Sequence, residues 1–241
     1  MSHCNDIAIR RFLTEQFLEV ADQRDGTLLD LGCGHLPYRP IYQNLFKRVV
    51  TADLDLRTVI DARSDAQALG FKDQSFDVVL FAEVIEHVPN PAVAMSEIAR
   101  VLKPKGVVLL TWPFMHPLHE LPHDYARYTE FGMANLLEGA GLKIELLTRR
   151  GDVVTLLFAL VEQFISNGVE FCVRLPVVGR PVFRPVQTAL RSFLRVLWQL
   201  YLGLMLPARR FQPPAIGSNL KGPINYMALW TIGYCARVRK R

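Results

Sequence analysis

The chain has 241 residues, 50% of them hydrophobic and 21% charged, which is enough to bury a full α/β core with an elaboration. Its four cysteines, Cys4, Cys33, Cys172 and Cys235, are far apart and follow no metal spacing, a usage that fits a reducing cytosol better than a disulfide scaffold. The net charge of +5 is unevenly shared: residues 1–150 carry 16 Lys/Arg against 20 Asp/Glu, and residues 151–241 carry 12 against 3. A basic, apolar half of this kind suggests an anionic partner surface, either a membrane or nucleic acid.

The N-terminus carries Asp6, Arg10, Arg11, Glu15 and Glu19 where a secretory signal would need an apolar core, so none is expected. Residues 6–24 instead read as an amphipathic helix with Ile9, Phe12, Leu13, Phe17 and Val20 on one side. Thr27–Leu31 is a short apolar run broken only by Asp30, and Gly32-Cys33-Gly34 follows at once. That is how a buried parallel strand passes into a tight turn whose backbone approaches a ligand, although an ordinary strand-to-helix turn reads the same way. A helix over about 37–46 and a second strand, 48–53, come next, and the strand ends on Asp53.

In a doubly wound sheet an acidic side chain at that second strand end sits beside the first Gly-rich turn and can accept from both ribose hydroxyls. A dinucleotide site prefers three glycines, with a helix N-terminus on the pyrophosphate. Here His35, Leu36, Pro37 and Tyr38 follow Gly34, and Pro37 removes a backbone donor that a phosphate could use. A cofactor with ribose and adenine but no phosphate fits better, which points to S-adenosylmethionine rather than NAD.

Beyond a short element near 57–62, the pattern continues as strand 76–82, helix 91–102 and strand 106–112. Pro91 opens that helix and Pro104-Lys105-Gly106 closes it. Thr129 is placed to N-cap a helix running to about Ala140, Gly141 stops it, and 142–148 reads as a strand. The polar positions are 152, 155, 162, 163 and 166 in 152–166, and in 184–199 they fall every three or four residues, drawing a narrow polar stripe on otherwise apolar helices. Arg191 and Arg195 interrupt any run of the ~20 apolar residues that a transmembrane span requires. A basic amphipathic pair lying in the bilayer interface is expected, with a helical lid or dimer face as the alternative. Residues 226–238 return to strand character, antiparallel to 142–148, and Arg237, Arg239, Lys240 and Arg241 form a basic tail.

Four blocks in this order resemble the class I S-adenosylmethionine-dependent methyltransferases: Leu28-Leu-Asp-Leu-Gly-Cys-Gly34, Ala52-Asp53, the stretch from Asp65 to Val79, and Glu83-Val-Ile-Glu-His-Val-Pro89. Ile98 to Gly106 is similar to the turn before that family's fifth strand. The resemblance spans roughly residues 25–150 and implies a Rossmann-like, doubly wound, mostly parallel sheet. An antiparallel last strand and an inserted helical subdomain complete the expected fold. The expected division is a cofactor-binding core at 1–150, an inserted basic helical subdomain at 151–221, and the last core strand with its tail at 222–241.

By the same resemblance, Asp30, Gly32 and Gly34 shape the loop under the methionine moiety, and Asp53 holds the ribose. Asp65 and Ala66 match the adenine-edge position, where Asp65 alternatively serves as a helix cap. Glu83 ends the fourth strand and points toward the cofactor, since ligands lie beyond the carboxyl ends of the strands. In the family the N-terminal helix caps the pocket, and a plain packing helix is the alternative. One departure is Leu36, where such enzymes commonly have glycine.

The loop from Pro113 to Thr129 holds His116, His119 and His123 with Glu120 and Asp124. Prolines 117 and 122 imply an extended path, and the spacing defines no metal site, so none is expected. A substrate loop with a general base reads better, because a hydroxyl acceptor must lose its proton and histidine suits that near neutral pH. His119 and His123 are the candidate bases, with Arg127 available for an anionic group. The Pro-His-Asp-Tyr-x-Arg-Tyr-Thr string resembles a subgroup associated with cell-surface polysaccharide and lipid pathways.

The expected activity is methyl transfer to a hydroxyl of a lipid-linked glycan or amphipathic metabolite, by a cytoplasmic protein peripheral on the inner membrane face. The alternatives are a soluble small-molecule methyltransferase with a helical lid, and a non-catalytic assembly module of envelope synthesis. Nucleic acid is disfavoured as a partner, since the basic half lacks an aromatic-interleaved groove pattern and the chain lacks a base-flipping loop.

Overall fold

A computed structural model describes residues 3–20, 26–55, 59–174 and 231–241, together with 189, 192–193, 196–197 and 200. In chain order the elements are α1 (His3–Val20), β1 (Thr27–Leu31), α2 (Arg39–Tyr42), β2 (Arg48–Asp53), β3 (Ala62–Arg63), β4 (Phe76–Ala82), α3 (Pro91–Val101), β5 (Leu102–Pro113), α4 (Glu130–Gly139), β6 (Leu142–Arg150), α5 (Val153–Arg174) and β7 (Gly233–Lys240). The strands form one sheet in the order β3-β2-β1-β4-β5-β7-β6, parallel from β3 to β5. β7 runs antiparallel between β5 and β6.

The period of two along each strand sorts the core into two layers. Leu28, Val78, Leu80, Val107, Leu109 and Cys235 face α1 and α2, where Ile9, Phe12, Leu13, Phe17 and Tyr42 cover them. Leu29, Leu31, Val79, Phe81, Val108 and Leu110 face the other way, against Met95, Ile98, Met133 and Leu137 of α3 and α4. Both faces of the central strands are therefore dry, which is why those strands read as continuous apolar runs.

Most sequence boundaries hold within a residue or two. Thr129 caps α4, its hydroxyl accepting from Gly132 N, and Gly141 leaves the helix at φ 72°. Several elements differ: α1 spans His3–Val20 against the expected 6–24, and β7 spans Gly233–Lys240 against 226–238. α2 is a single turn rather than a helix to 46, because residues 43–45 continue as turns that deliver the chain to β2. β5 starts at Leu102, which pairs with Phe76, and the register then jumps to Val78–Val107, so Lys103–Gly106 forms a bulge inside the strand. α1 packs over α2 and the sheet face at β5, β7 and β6, and none of its described residues lines the cavity below.

α5 is longer than the 152–166 stripe suggested, and its N-terminus is capped by Asp152, whose carboxylate accepts from Thr155 N and Oγ1. Thr155 and Leu156 are buried, whereas Leu157, Leu160, Val161 and Phe164 are 45–79% exposed. Among the described residues no helix is long and apolar enough to cross a membrane. The 184–199 helix falls largely outside the described residues, as does 226–230.

Candidate active site

The carboxyl ends of β1, β2 and β4 open onto one cavity of about 720 Å³, within the size range of small-molecule sites. Gly32, Gly34, Asp53, Asp65, Ala66 and Glu83 line one part of it, and His87, His116, His119 and His123 line another.

The two turn glycines are required for different reasons. Gly32 has φ 71°, and a Cβ there would lie 2.5 Å from Val84 Cγ2, so it is fixed by packing against the β4 turn. Gly34 has φ 51°, and a Cβ would meet no protein atom within 4 Å, so the space beside it belongs to the cavity. Gly34 N donates to Asp53 Oδ2 at 2.7 Å, and Asp55 N donates to Oδ1 at 2.9 Å. These bonds orient the Asp53 carboxylate and leave lone pairs on both oxygens for hydroxyl donors. The open Cβ position and the oriented carboxylate together fit a ribose-bearing cofactor.

Asp65 caps no helix, because residues 65–68 form a tight turn closed by a bridge to Ala68. Its Oδ1 accepts from Gln67 N at 2.8 Å, a local turn, while the side chain lines the cavity with Ala66. Asp30 lies beneath the turn rather than in the cavity. It is 4% exposed and accepts from the Tyr42 hydroxyl at 2.5 Å, and burial pushes its carboxyl up to about 7, with Tyr42 pulling it down and Asp53 adding to the rise. Its part in the site is to anchor the turn to α2. Leu36 takes the conformation a glycine would take, with φ 59°, and is not among the cavity-lining residues.

Glu83 has φ 55° and is the hub of a buried network. Its Oε1 accepts from Thr111 Oγ1 and from Arg150 Nη2, both at 2.9 Å, and Arg150 Nη2 also donates to the Trp112 carbonyl at 2.6 Å. Arg150 is 1% exposed; burial is the largest influence and works against its charge, and the field and hydrogen bond of Glu83 together with Cys235 and Tyr38 more than offset it. The sequence offered no signal for this residue, which sits at the end of β6, 67 positions from its partner.

The turn after β4 places Glu86 at 1% exposure with neither carboxylate oxygen hydrogen-bonded. Burial, reinforced by Glu83, pushes its carboxyl well above the usual carboxylate range. The loop 113–129 folds over this turn: Tyr125 N donates to the Glu86 carbonyl, and His87 Nδ1 pairs with the His123 carbonyl at 2.7 Å. His119 Nδ1 lies 3.2 Å from Asp124 Oδ2, and His123 Nδ1 lies 2.9 Å from the Tyr125 hydroxyl.

Arg127 departs from its expected role. Its Nη1 and Nη2 both hold Asp124, at 2.5 and 2.7 Å, and it does not line the cavity. With its charge committed to Asp124, Arg127 braces the histidine loop instead of offering a free site for an anionic acceptor. Asp124 itself is held far below the ordinary carboxylate range by Arg127.

Residues 29–110 match the methyltransferase domain family. A named S-adenosylmethionine-dependent methyltransferase of Mycolicibacterium smegmatis, described as probable, is 31% identical over 139 residues, covering 49% of this chain and 52% of that protein. A fatty-acid O-methyltransferase of the same organism is 30% identical over 116 residues, 42% of each chain. The chain thus spans about half the length of the curated relatives it matches. Among solved structures, the cyclase SpnF superposes with a TM-score of 0.58 at 15% identity, covering 95% of this chain and 80% of that one, a likeness of fold alone. The cavity at the sheet's carboxyl edge is built largely from the segment that matches the methyltransferase domain family, residues 29–110.

Proposed function

We propose that the chain transfers a methyl group to an oxygen of an apolar or lipid-linked acceptor presented at a membrane surface. One observation carries the reading: a single cavity joins the cofactor-type turn residues Gly34, Asp53 and Asp65 to a loop bearing three histidines. When bound, S-adenosylmethionine supplies an electrophilic methyl on its sulfonium. Asp53 would hold the ribose, Asp65 and Ala66 the adenine edge, and Gly32, Gly34 and Glu83 the methionine side. In-line displacement at that carbon needs mainly positioning and exclusion of water, which a loop folded over the β4 turn supplies. Of the two candidate bases, His123 faces the cavity with Nδ1 fixed on the Tyr125 hydroxyl, and it takes the acceptor's proton. His119 turns its Nε2 toward Glu86 instead, at 3.8 Å.

The acceptor class is supported from two sides. The matched M. smegmatis protein is named for methylating fatty acids. On α5, Leu157, Leu160, Val161 and Phe164 recur at helical spacing and stay exposed while polar Thr155 is buried, an arrangement suited to an apolar phase rather than water. The 12 Lys/Arg against 3 Asp/Glu over 151–241 would add attraction to anionic lipid. In this reading residues 1–150 are the catalytic core, 151–221 the membrane-facing insertion, and 222–241 the strand and tail that close the sheet.

The test is calorimetric titration of S-adenosylmethionine into the full chain, followed by transfer of labelled methyl to membrane lipid extracts. Saturable binding is expected, lost in Gly34→Val. Asp53→Ala should weaken it by roughly 1–3 kcal/mol. His123→Ala should keep cofactor affinity and lower turnover by about 100-fold or more. Folded protein that takes up no cofactor would sink the proposal, and full turnover in His123→Ala would move the base elsewhere.

A further inference from the structure

Beside the cavity that His87 and His119 line, Glu86, His87 and His119 bring one ligand-type atom each within 4.8 Å of one another. We propose that these three side chains form a divalent-metal site, of the kind zinc occupies, with an open coordination position facing the cavity.

The argument starts from the tautomers. His87 Nδ1 faces the His123 carbonyl at 2.7 Å, which only accepts, so that nitrogen carries the proton. His119 Nδ1 faces two acceptors, Asp124 Oδ2 at 3.2 Å and the Pro117 carbonyl at 3.3 Å, so it is also the protonated nitrogen. Both Nε2 atoms are thereby left with lone pairs, and both turn toward Glu86 Oε1, at 3.7 and 3.8 Å. Those distances are too long for hydrogen bonds. They suit two ligands of one ion, because a cation with ligand distances of about 2.0–2.2 Å spans pairs up to roughly 4 Å apart. The widest pair within 4.8 Å closes by less than ~1 Å of side-chain motion.

Glu86 supplies the second observation. Both its oxygens are buried without a hydrogen-bond partner, and a buried polar group in that state is costly. A cation removes the cost by pairing the carboxylate with positive charge. The outer contacts are those of a metal site too: Asp124 behind His119 and a backbone carbonyl behind His87 each fix a ring and raise its basicity. Arg127 in turn clamps Asp124 from the far side. Two imidazoles and one carboxylate favour zinc or a similar transition metal over magnesium or calcium, which take mainly oxygen ligands. An ion here would polarise the acceptor oxygen before the methyl arrives; that role rests on the methyl-transfer reading, whereas the site itself does not.

The full chain, stripped with chelator and dialysed against zinc, should retain one zinc per chain by elemental analysis. Cobalt(II) in place of zinc should give the intense visible bands of a low-coordinate site. Glu86→Gln and His119→Ala should each weaken zinc binding by at least about tenfold, Asp124→Asn by ~10–100-fold, and exposed His35→Ala not at all. Circular dichroism of each variant separates lost ligation from lost folding, and the loop variant His119→Ala stands if Glu86→Gln fails to fold. Zinc well below one per chain in the wild type, or equal binding in His119→Ala, overturns the site. Parallel titration with S-adenosylmethionine keeps the two ideas apart. Cofactor binding without zinc uptake rejects the metal alone, and zinc uptake without cofactor binding rejects the methyl-transfer reading alone.

Discussion

Replacing Arg150 with methionine removes the cation of a pair that is nearly dry: its side chain is 1% exposed and that of Glu83 10%. The pair itself adds little net stability, since desolvation offsets most of the attraction, but breaking it on one side leaves a buried charge uncompensated, typically at 3–5 kcal/mol. The surroundings push the figure toward the upper end. Glu83 would keep only the Thr111 hydroxyl on Oε1, the Trp112 carbonyl would lose a charged donor, and unpaired Glu86 lies in the next turn. Arg150→Met is therefore expected to lose about 3–5 kcal/mol in urea unfolding. The double variant with Glu83→Gln should recover ~2 kcal/mol or more of that, because the neutral amide no longer needs a cation. Cofactor affinity falls in both, since Glu83 lines the cavity. A loss below ~1 kcal/mol in Arg150→Met, the range of an exposed pair, or a double variant no better than the single, would refute the account of Glu83 as a charge held in place by Arg150.

Asp30 predicts a pH dependence of stability. Its folded value, about 7, lies above the ordinary 3.8, so the stability it contributes is full below pH ~4 and is lost as pH rises through about 7, on the order of 4 kcal/mol in all. Asp30→Asn should flatten that slope between pH 4 and 7, roughly the window where the shift acts, and an unchanged slope would mean the carboxyl is not the cause. The turn glycines should separate stability from binding. Gly32→Ala strains φ and collides with Val84, so melting should drop by ~1–3 kcal/mol, whereas Gly34→Ala should cost about 1 kcal/mol of stability and proportionally more cofactor affinity. Equal behaviour of the two in melting and calorimetry would remove the distinction. On α5, Leu160→Glu with Phe164→Glu should release the protein from anionic vesicles while leaving stability within about ±0.5 kcal/mol. Undiminished co-sedimentation would remove α5 from the membrane contact.

What could be read in the sequence follows the range of the interactions. β1, β2 and β4 were legible because strands covered on both faces must be apolar throughout, and α4 because Thr129 and Gly141 mark its ends locally. Asp53 was legible because a strand end beside a glycine turn is a local pattern with one geometric consequence, the bond from Gly34 N. The pairing of Arg150, the burial of Glu86 without hydrogen bonds and the clamp on Asp124 were not legible, because they depend on where β6 and the histidine loop come to lie against the β4 turn. Periodicity carries no information about that docking. Arg127 shows the converse error: a free arginine on an extended loop looks like an anion site until the fold places an aspartate three residues back against it. Leu36 is the subtler case. It breaks the glycine pattern of the family, yet it adopts φ 59° at a cost of ~1–3 kcal/mol and keeps its side chain out of the cavity. The turn constrains the backbone path more strongly than the residue type, so a departure from the motif alters stability before it alters the space left for a cofactor.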